Sequence, residues 1–246
     1  MSKVEIIILA AGHGKRMQSE VPKALTILNG KPFIEHVIGA IKDSGIDASP
    51  IIIIGQKKEF VKAHLGEGYR YAVQEEQLGT GHAVMMARDI ALDSDTVLIL
   101  YADHPLVSKE SIKKLIETHE EENATLTMAT TIVPDFLDWR SGFESFGRIV
   151  RDGKGNIVRI VEAKDATETE KNIKEVNPAY MCFKTKWLFE NLEKIQNTNS
   201  QGEYYLTDLV AMACEQNTKI SSVQIDPKEA LGVNTKEQLE LLQSII

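Results

Sequence analysis

The stretch that decides the fold is Val4-Glu5-Ile6-Ile7-Ile8-Leu9, followed directly by Ala10-Ala11-Gly12-His13-Gly14-Lys15-Arg16-Met17. The first six residues form a short apolar run rich in β-branched side chains, which predicts a buried strand. The glycines at positions 12 and 14 let the backbone bend and approach a ligand without a Cβ in the way. Lys15 and Arg16, with Lys23 beyond them, add positive charge, so the loop is a candidate phosphate site.

This loop differs from two well-known phosphate-binding motifs. The third glycine of the dinucleotide fingerprint G-x-G-x-x-G is replaced by Met17. No Gly-Lys-Ser/Thr sequence ends the loop, so it is not a P-loop. An ordinary strand–turn–helix connection is the alternative interpretation, because G-x-G alone is a weak signal.

Strand and helix patterns alternate along the chain outward from this stretch. Predicted strands at 4–9, 51–54, 71–74 and 96–100 are separated by predicted helices at 33–41, 60–65 and 81–91. The second half adds predicted helices at 108–121, around 206–214 and at the C-terminus, strands at 124–133 and 176–183, and a hairpin of 146–150 with 157–161. This order predicts an α/β fold with a doubly wound, mixed, mainly parallel, Rossmann-like sheet and an added β-hairpin region.

Composition and charge exclude several classes of protein. The 246 residues are 43% hydrophobic and 26% charged, which is typical of a globular domain. A net charge of −8 disfavours a nucleic-acid partner. No apolar run approaches the roughly 20 residues that span a bilayer, and the N-terminus lacks a secretory pattern. Cys182 and Cys214 cannot form a disulfide framework, so we expect a cytoplasmic protein without a membrane partner, with Cys214 in the core.

A second candidate site follows the predicted fourth strand, at Tyr101-Ala102-Asp103-His104-Pro105. Ligands of open α/β sheets bind at the carboxyl ends of the strands, where Asp103 is expected. A carboxylate there is a natural Mg²⁺ ligand. A helix cap is the alternative role for Asp103, although Ser108 already offers one. Since magnesium prefers oxygen ligands, His104 is predicted to be a packing or surface residue.

A third candidate site is the segment Gln77-Leu78-Gly79-Thr80-Gly81-His82, together with Gln74 just before it. Thr80 and the free N–H groups of a helix start can bind a base or a phosphate. The Gln74 amide both donates and accepts, so it could bind a pyrimidine edge. The alternative is that Thr80 only caps the helix.

Taken together, these loops resemble the signature motifs of the sugar-1-phosphate nucleotidyltransferases. Further segments match one branch in order, the N-acetylglucosamine-1-phosphate uridylyltransferases, which form the N-terminal half of a bifunctional bacterial enzyme. These segments are Phe146-Gly147-Arg148-Ile149-Val150, Ile160-Val161-Glu162-Ala163-Lys164-Asp165-Ala166, Glu203-Tyr204-Tyr205-Leu206-Thr207-Asp208 and Gly232-Val233-Asn234. The resemblance covers essentially the whole chain. It implies a single domain, 1–246, with a nucleotide-binding part over about 1–105 and a sugar-binding part with a C-terminal helix over about 106–246.

The resemblance also implies a role for each matched residue. Arg16, Lys23 and Asp103 would be catalytic, the first two by binding phosphates. Asp103 and Asn234 would ligate Mg²⁺, the implied cofactor. The remaining residues would bind substrate: Leu9, Ala10, Ala11 and Gly12 beside the uridine and phosphates, Gln74, Gly79 and Thr80 at the uracil, Tyr101 and Ala102 beside the nucleotide, and Gly147, Glu162 and Asn177 at the sugar. Alternatively, Gly147 is a strand irregularity, Glu162 is solvated and Asn177 is a turn residue.

The sequence departs from the family's pattern at a few positions. Ala102 replaces the glycine that usually precedes Asp103, and His13 and Lys15 stand where Lys and Thr are usual. Asn177 is followed by Pro178-Ala179 where Thr-Gly is typical. Proline lacks a backbone donor and fixes φ, so the sugar pocket is expected to differ. No isoleucine-rich hexapeptide repeats follow, so the acetyltransferase β-helix is expected to be absent.

The resemblance implies Mg²⁺-dependent transfer of a uridylyl group from UTP to N-acetylglucosamine-1-phosphate, which gives UDP-N-acetylglucosamine and pyrophosphate. One alternative is a nucleotidyltransferase that uses another sugar-1-phosphate or another nucleotide. The other is a non-catalytic regulatory protein that binds a nucleotide sugar. The expected assembly is a monomer or weak dimer.

Overall fold

A ten-stranded sheet forms the centre of the computed structural model, which describes residues 2–12 and 21–245. The strands are β1 (Val4–Leu9), β2 (Ile27–Leu28), β3 (Lys31–Pro32), β4 (Ile51–Ile54), β5 (Arg70–Val73), β6 (Thr96–Tyr101), β7 (Leu126–Ile132), β8 (Arg148–Arg151), β9 (Ile157–Val161), β10 (Glu175–Val176), β11 (Met181–Lys184) and β12 (Ile220–Gln224). The α-helices are α1 (Phe33–Asp43), α2 (Lys58–Leu65), α3 (Thr80–Met85), α4 (Arg88–Ala91), α5 (Lys109–Glu121), α6 (Glu168–Lys171), α7 (Thr185–Leu192), α8 (Asp208–Glu215) and α9 (Lys236–Ile245). Short 3₁₀ helices cover Lys23–Leu25, Asp138–Ser145 and Pro227–Ala230.

The strand order is β5-β4-β1-β6-β11-β7-β10-β8-β9, with β12 beside β7 and the small hairpin β2–β3 apart. Strands β4, β5 and β6 run parallel to β1, either directly or through a neighbour. β11 is antiparallel to both β6 and β7, and β12 is parallel to β7. The hairpin β8–β9 is antiparallel, as is β10 to its two neighbours. The predicted mixed, mainly parallel sheet with an added hairpin is therefore confirmed.

Alternating side chains of β1 divide the core into two layers. Ile6 and Ile8 pack on one face of the sheet with α1 and α5, while Ile7 and Leu9 pack on the other with α3, α7 and α8. A strand with both faces buried has no polar alternation, which explains the continuous apolar run in the sequence. Helices on both faces leave the strand ends as the accessible edge of the sheet.

Two elements predicted as continuous are interrupted. The predicted strand 176–183 is divided into β10 and β11, which pair with different parts of the sheet. Pro178 lacks an N–H group, and Ala179 has a left-handed backbone with φ of +70°. The predicted helix 81–91 is divided into α3 and α4, because hydrogen bonds three residues apart replace helical ones at Met86 and Ala87.

The cysteines lie in two environments. Cys182 on β11 is buried in the layer that contains Ile6 and Ile8, whereas Cys214 is only half-buried on α8. The prediction that Cys214 belongs to the core is therefore wrong. Elsewhere the capping prediction is confirmed, since the Ser108 side chain accepts from the Ser111 backbone N–H at the start of α5. Within residues 2–12 and 21–245, every helix is too short or too polar to cross a bilayer.

Candidate active site

The predicted site residues converge because four parallel strands, in the order β5-β4-β1-β6, end at the same edge of the sheet. Leu9 at the end of β1 pairs in register with Tyr101 at the end of β6. The backbone ladder continues past the strands, since Ala102 N donates to Leu9 O at 3.0 Å and Gln74 N donates to Ile54 O at 2.8 Å. The loops that follow these strands therefore share one edge of the sheet.

A cavity of about 220 Å³ opens at this edge. Eleven of the predicted residues line it: Leu9, Ala10, Ala11, Gly12, Lys23, Gln74, Gly79, Thr80, Tyr101, Ala102 and Asp103. Its wall is largely apolar with a few polar groups, which is the usual character of a small-molecule site. Arg16, with His13, Gly14, Lys15 and Met17, lies outside the described residues, so its predicted phosphate contact stays a prediction.

The loop before α3 is held against a distant segment of the chain. Gly81 N donates to Tyr204 O at 2.8 Å, and Tyr204 N donates to Leu78 O at 2.8 Å. Gly79 has a φ of +107°, and a Cβ there would lie 2.6 Å from Tyr204 O. Glycine is required at this position for both its backbone conformation and its size. The contact fixes the wall of the cavity that contains Gly79 and Thr80.

Thr80 does not cap α3, contrary to the alternative interpretation. The N-cap position is Gly79, and the Thr80 hydroxyl instead accepts from the Leu206 backbone N–H at 3.0 Å. Burial first, and then the charges of Glu162 and Asp103, raise the pKa of Tyr101, so its phenol stays neutral at this edge of the sheet.

The geometry of Gln74 selects which of its atoms can meet a ligand. Its side chain is 3% exposed, and Nε2 donates to Gly79 O at 3.0 Å and lies 3.2 Å from His82 Nδ1. Since a carbonyl oxygen can only accept, the bond to Gly79 fixes the amide orientation. No residue within the described ranges donates to Gln74 Oε1. The side chain therefore offers an acceptor, and no free donor, to a ligand in the cavity.

Gln77 lines the cavity and was not among the predicted site residues. Its Nε2 donates to Ala11 O at 2.6 Å, and so ties the loop before α3 to the loop after β1. Gly55 leaves room for this contact, since a Cβ there would lie 2.7 Å from Ala11 O and 3.0 Å from Gln77 Nε2. The motif that contains Gln77 was visible in the sequence, but its partner on another strand was not. Glu203 is a further lining residue that sequence reasoning did not assign.

Lys23, Asp103 and Asn234 form one polar cluster at the cavity. Lys23 Nζ donates to the Asp103 carboxylate, and to Asn234 Oδ1 at 2.7 Å. The two predicted metal ligands, 131 positions apart in sequence, are thus brought to a single cation, here an ammonium group. A carboxylate and an amide oxygen are donors that Mg²⁺ accepts, with water and phosphate oxygens completing its shell. The donor set therefore fits the implied metal.

The charge of Lys23 governs the ionisation of its partner. Burial alone would raise the pKa of Asp103, but the charge and hydrogen bond of Lys23 hold that pKa below its ordinary value. Asp103 is therefore an anion near neutral pH. His104 beside it is 8% exposed, contacts Tyr180 through Nδ1 at 3.2 Å, and has a pKa lowered by burial. It packs as a neutral ring against Gly232, as the sequence predicted.

The predicted sugar-binding residues form a second cluster outside the lining of this cavity. Asn177 N donates to Gly147 O at 2.9 Å. A Cβ on Gly147 would lie 3.5 Å from both carboxylate oxygens of Glu162, so these groups are neighbours. Glu162 Oε1 accepts from the Thr207 hydroxyl at 2.8 Å. Burial, offset in part by that hydrogen bond, raises the pKa of Glu162. Glu162 is therefore not simply solvated.

Asn177 already uses one of its two polar atoms within the chain. Its Oδ1 accepts from Ala179 N at 2.9 Å, which closes the turn around Pro178. The turn that was an alternative interpretation is thus present. Asn177 is largely buried, at 6% exposed, and its Oδ1 already accepts a hydrogen bond. The side-chain NH₂ is therefore the group that can donate to a ligand.

The fold and the site at its carboxyl edge define a class, the nucleotidyltransferases with the nucleotide-diphospho-sugar transferase fold. A solved UDP-glucose pyrophosphorylase, complexed with UDP-glucose, superposes with a TM-score of 0.77 at 17% identity, over 99% of this chain and 98% of that one. Within this class, a family profile described as the MobA-like NTP transferase domain matches residues 6–207. The chain belongs to this family, and the resemblance seen in its motifs is confirmed.

Curated relatives give the same result. The chain is 46% identical over 243 residues to the bifunctional protein GlmU of Fervidobacterium nodosum, and 40% identical over 241 residues to that of Brevibacillus brevis. The alignments cover 98% and 97% of this chain and 50% of each relative. The chain therefore spans about half the length of these relatives.

Proposed function

We propose that the chain transfers a uridylyl group from UTP to N-acetylglucosamine-1-phosphate and releases pyrophosphate. The observation that carries this proposal is the convergence of Lys23, Asp103 and Asn234, of which Lys23 and Asp103 line the same cavity as the β1 loop. A phosphate oxygen of the sugar phosphate attacks the α-phosphorus of UTP. The bond from that phosphorus to the oxygen bridging to the β-phosphorus breaks, and pyrophosphate leaves with the bond electrons. No protein nucleophile is required.

The chain's own residues supply position and charge in this reaction. Lys23 lines the cavity, and its ammonium group would supply positive charge to the triphosphate. Asp103 and Asn234 would hold Mg²⁺, which neutralises charge that develops on the phosphate oxygens. Because little covalent chemistry falls to the protein, catalysis depends on alignment of the two substrates.

The acceptor at Gln74 supports a uracil base. The N3 position of uracil carries a hydrogen, whereas N3 of cytosine and N1 of adenine are acceptors. A buried glutamine that offers only Oε1 accepts from the N3–H of uracil, but it has no donor for the ring nitrogen of cytosine or adenine. A site built to hydrogen-bond one group rejects analogues that lack it, since its own polar atom is left unsatisfied. Guanine also carries a ring N–H, but a purine is larger than uracil.

The free NH₂ of Asn177 supports an acetamido sugar, since the acetyl carbonyl oxygen can accept from it. Glu162 in the same cluster is an acceptor for a sugar hydroxyl. These two residues give the cluster one donor and one acceptor for the sugar. A different sugar-1-phosphate is the alternative substrate, because Pro178-Ala179 departs from the family pattern beside Asn177.

The test is a matrix of four nucleoside triphosphates against N-acetylglucosamine-1-phosphate, glucose-1-phosphate and galactose-1-phosphate, with pyrophosphate release as the readout. UTP with N-acetylglucosamine-1-phosphate should give the highest kcat/KM. Asp103→Asn should lower turnover by about 100-fold, because a bound metal supplies several kcal/mol of charge stabilisation. Binding of a UDP-sugar without pyrophosphate release from any pair would replace the enzyme proposal with the regulatory alternative. Equal rates with glucose-1-phosphate would remove the role of Asn177.

A further inference from the structure

The ammonium group of Lys23 contacts both residues that the proposed function assigns to the metal, through one carboxylate oxygen of Asp103 and the Oδ1 atom of Asn234. Nζ donates to the Asp103 carboxylate and to Asn234 Oδ1 at 2.7 Å, and Lys23 is 7% exposed. Mg²⁺ binds oxygen at about 2.0–2.1 Å and accepts nearly ideal octahedral geometry only. An ammonium group and a divalent cation on the same two oxygens would overlap and repel each other. The two cations therefore compete for one place.

The main chain of both residues is held by contacts that do not involve Lys23. Val233 N donates to Asp103 O at 3.1 Å, which joins the loop after β6 to the loop before α9. Asn234 N donates to Gln238 Oε1 at 2.6 Å, within the start of α9. Lys23, in contrast, reaches the oxygens through a flexible four-carbon stem. If a metal ion takes this place, we therefore expect the Lys23 side chain to move, rather than Asp103 or Asn234.

The cavity offers Lys23 a second set of anionic partners when nucleotide is bound. Lys23 shares the cavity lining with Gly12 and Ala11, where the β1 loop would receive the phosphates. A triphosphate carries more negative charge than one carboxylate, and the ammonium group of a lysine binds phosphate as a point charge. Rotation of the side chain toward the phosphates would leave the Asp103 and Asn234 oxygens free.

We infer that Lys23 couples metal binding to nucleotide binding, by blocking the Asp103–Asn234 oxygens in the free protein and releasing them when a nucleoside triphosphate draws its ammonium group away. This inference rests on the proposed function, because it takes the same metal ligands and the same nucleotide cavity. Coupling between two ligands is reciprocal, and it commonly changes affinity by about 5–150-fold. The protein would therefore bind metal alone weakly and metal with nucleotide strongly.

The experiment measures Mn²⁺ binding by electron paramagnetic resonance, with Mn²⁺ in place of Mg²⁺. Wild type, Lys23→Met and Lys23→Arg are each titrated alone and with a non-hydrolysable UTP analogue, after correction for Mn²⁺ bound by the analogue itself. Lys113→Met serves as the charge control, since Lys113 is an exposed α5 residue in a surface ion pair with Glu117. Thermal melts establish that every variant is folded.

Mn²⁺ alone should bind Lys23→Met at least about tenfold more tightly than wild type, within the range that such coupling reaches. The analogue should raise Mn²⁺ affinity about tenfold in wild type and much less in Lys23→Met. Lys23→Arg keeps the blocking charge, so it should resemble wild type, and Lys113→Met should differ from it by no more than about twofold.

The inference is overturned if Lys23→Met binds Mn²⁺ alone no more tightly than wild type while the analogue still raises both affinities equally. It is also overturned if Lys23→Arg gains affinity as Lys23→Met does. Failure of the proposed function has a different signature: the analogue would not bind to wild type, and no pyrophosphate would be released from UTP.

Discussion

Substitution of four glycines by alanine separates the two reasons why Gly79 must be glycine. Gly153 has open space around it and no left-handed backbone, and Gly202 has open space but a φ of +67°. Gly55 has an ordinary φ, but its Cβ would lie 2.7 Å from Ala11 O. Gly79 combines both constraints, with a φ of +107° and a Cβ that would lie 2.6 Å from Tyr204 O. Each variant therefore measures one combination of backbone strain and overlap.

The expected magnitudes follow from these contacts. Gly153→Ala should be neutral or stabilise by up to about 1 kcal/mol, because alanine lowers the entropy of the unfolded chain. Gly202→Ala should cost about 1–2 kcal/mol for the left-handed backbone. Gly55→Ala should cost about 1–3 kcal/mol, since a backbone oxygen must move. Gly79→Ala, with a more unusual backbone and an overlap, should cost about 4 kcal/mol.

Urea unfolding at neutral pH gives the free energy of unfolding for each variant, and the slope with urea shows whether the transition is unchanged. For Gly79→Ala and Gly55→Ala, the apparent KM for UTP should also rise by at least about tenfold, because small displacements of aligned groups are costly. Gly153→Ala and Gly202→Ala should keep the wild-type KM. If Gly79→Ala were as stable as Gly153→Ala and kept the wild-type KM, the contact between the α3 loop and Tyr204 would not shape the site.

Three further outcomes are expected. His119 is 2% exposed, and burial followed by the charge of Lys184 lowers its pKa from 6.5 to about 4. The unfolded chain therefore binds more protons between these values, so the free energy of unfolding decreases as the pH is lowered through this window, by about 2 kcal/mol from pH 7 to pH 5. His119→Gln should lose this dependence in urea titrations. The fully buried Arg148 donates to the backbone carbonyls of Glu144 and Phe146, so Arg148→Met should lower unfolding stability by about 3 kcal/mol, with a smaller loss in Arg148→Lys. Asn177→Ala should lower the ratio of N-acetylglucosamine-1-phosphate to glucose-1-phosphate turnover at least about tenfold, and an unchanged ratio would contradict its role at the sugar.

The first half of the fold was predictable because its signals are local. Strands β1 and β4 are short runs rich in β-branched residues, and they begin and end as the sequence predicted. The hairpin β8–β9 was predictable for the same reason, from its turn residues. The division of the predicted strand 176–183 was harder to predict. It depends on the left-handed backbone of Ala179 and on the hydrogen bond from Ala179 N to Asn177 Oδ1, which form only in the folded turn. β12 was missed because its sequence, Ile220-Ser221-Ser222-Val223-Gln224, lacks the continuous apolar run of β1, β4 and β6.

The sequence by itself determined the class of fold and the chemical types of the site residues: glycines where the backbone must turn, a lysine, an aspartate and two amides at strand ends. Only the tertiary structure decided which of them meet. Lys23, Asp103 and Asn234 share hydrogen bonds although they come from three segments that are distant in sequence. The Gln74 amide is oriented by Gly79, and Gln77 is tied to Ala11 across the cavity. The periodicity of apolar residues indicates which face of a helix or strand is buried. The partner of a polar atom depends instead on packing between elements that are distant in sequence. That packing is fixed only when the sheet and its two helical layers assemble.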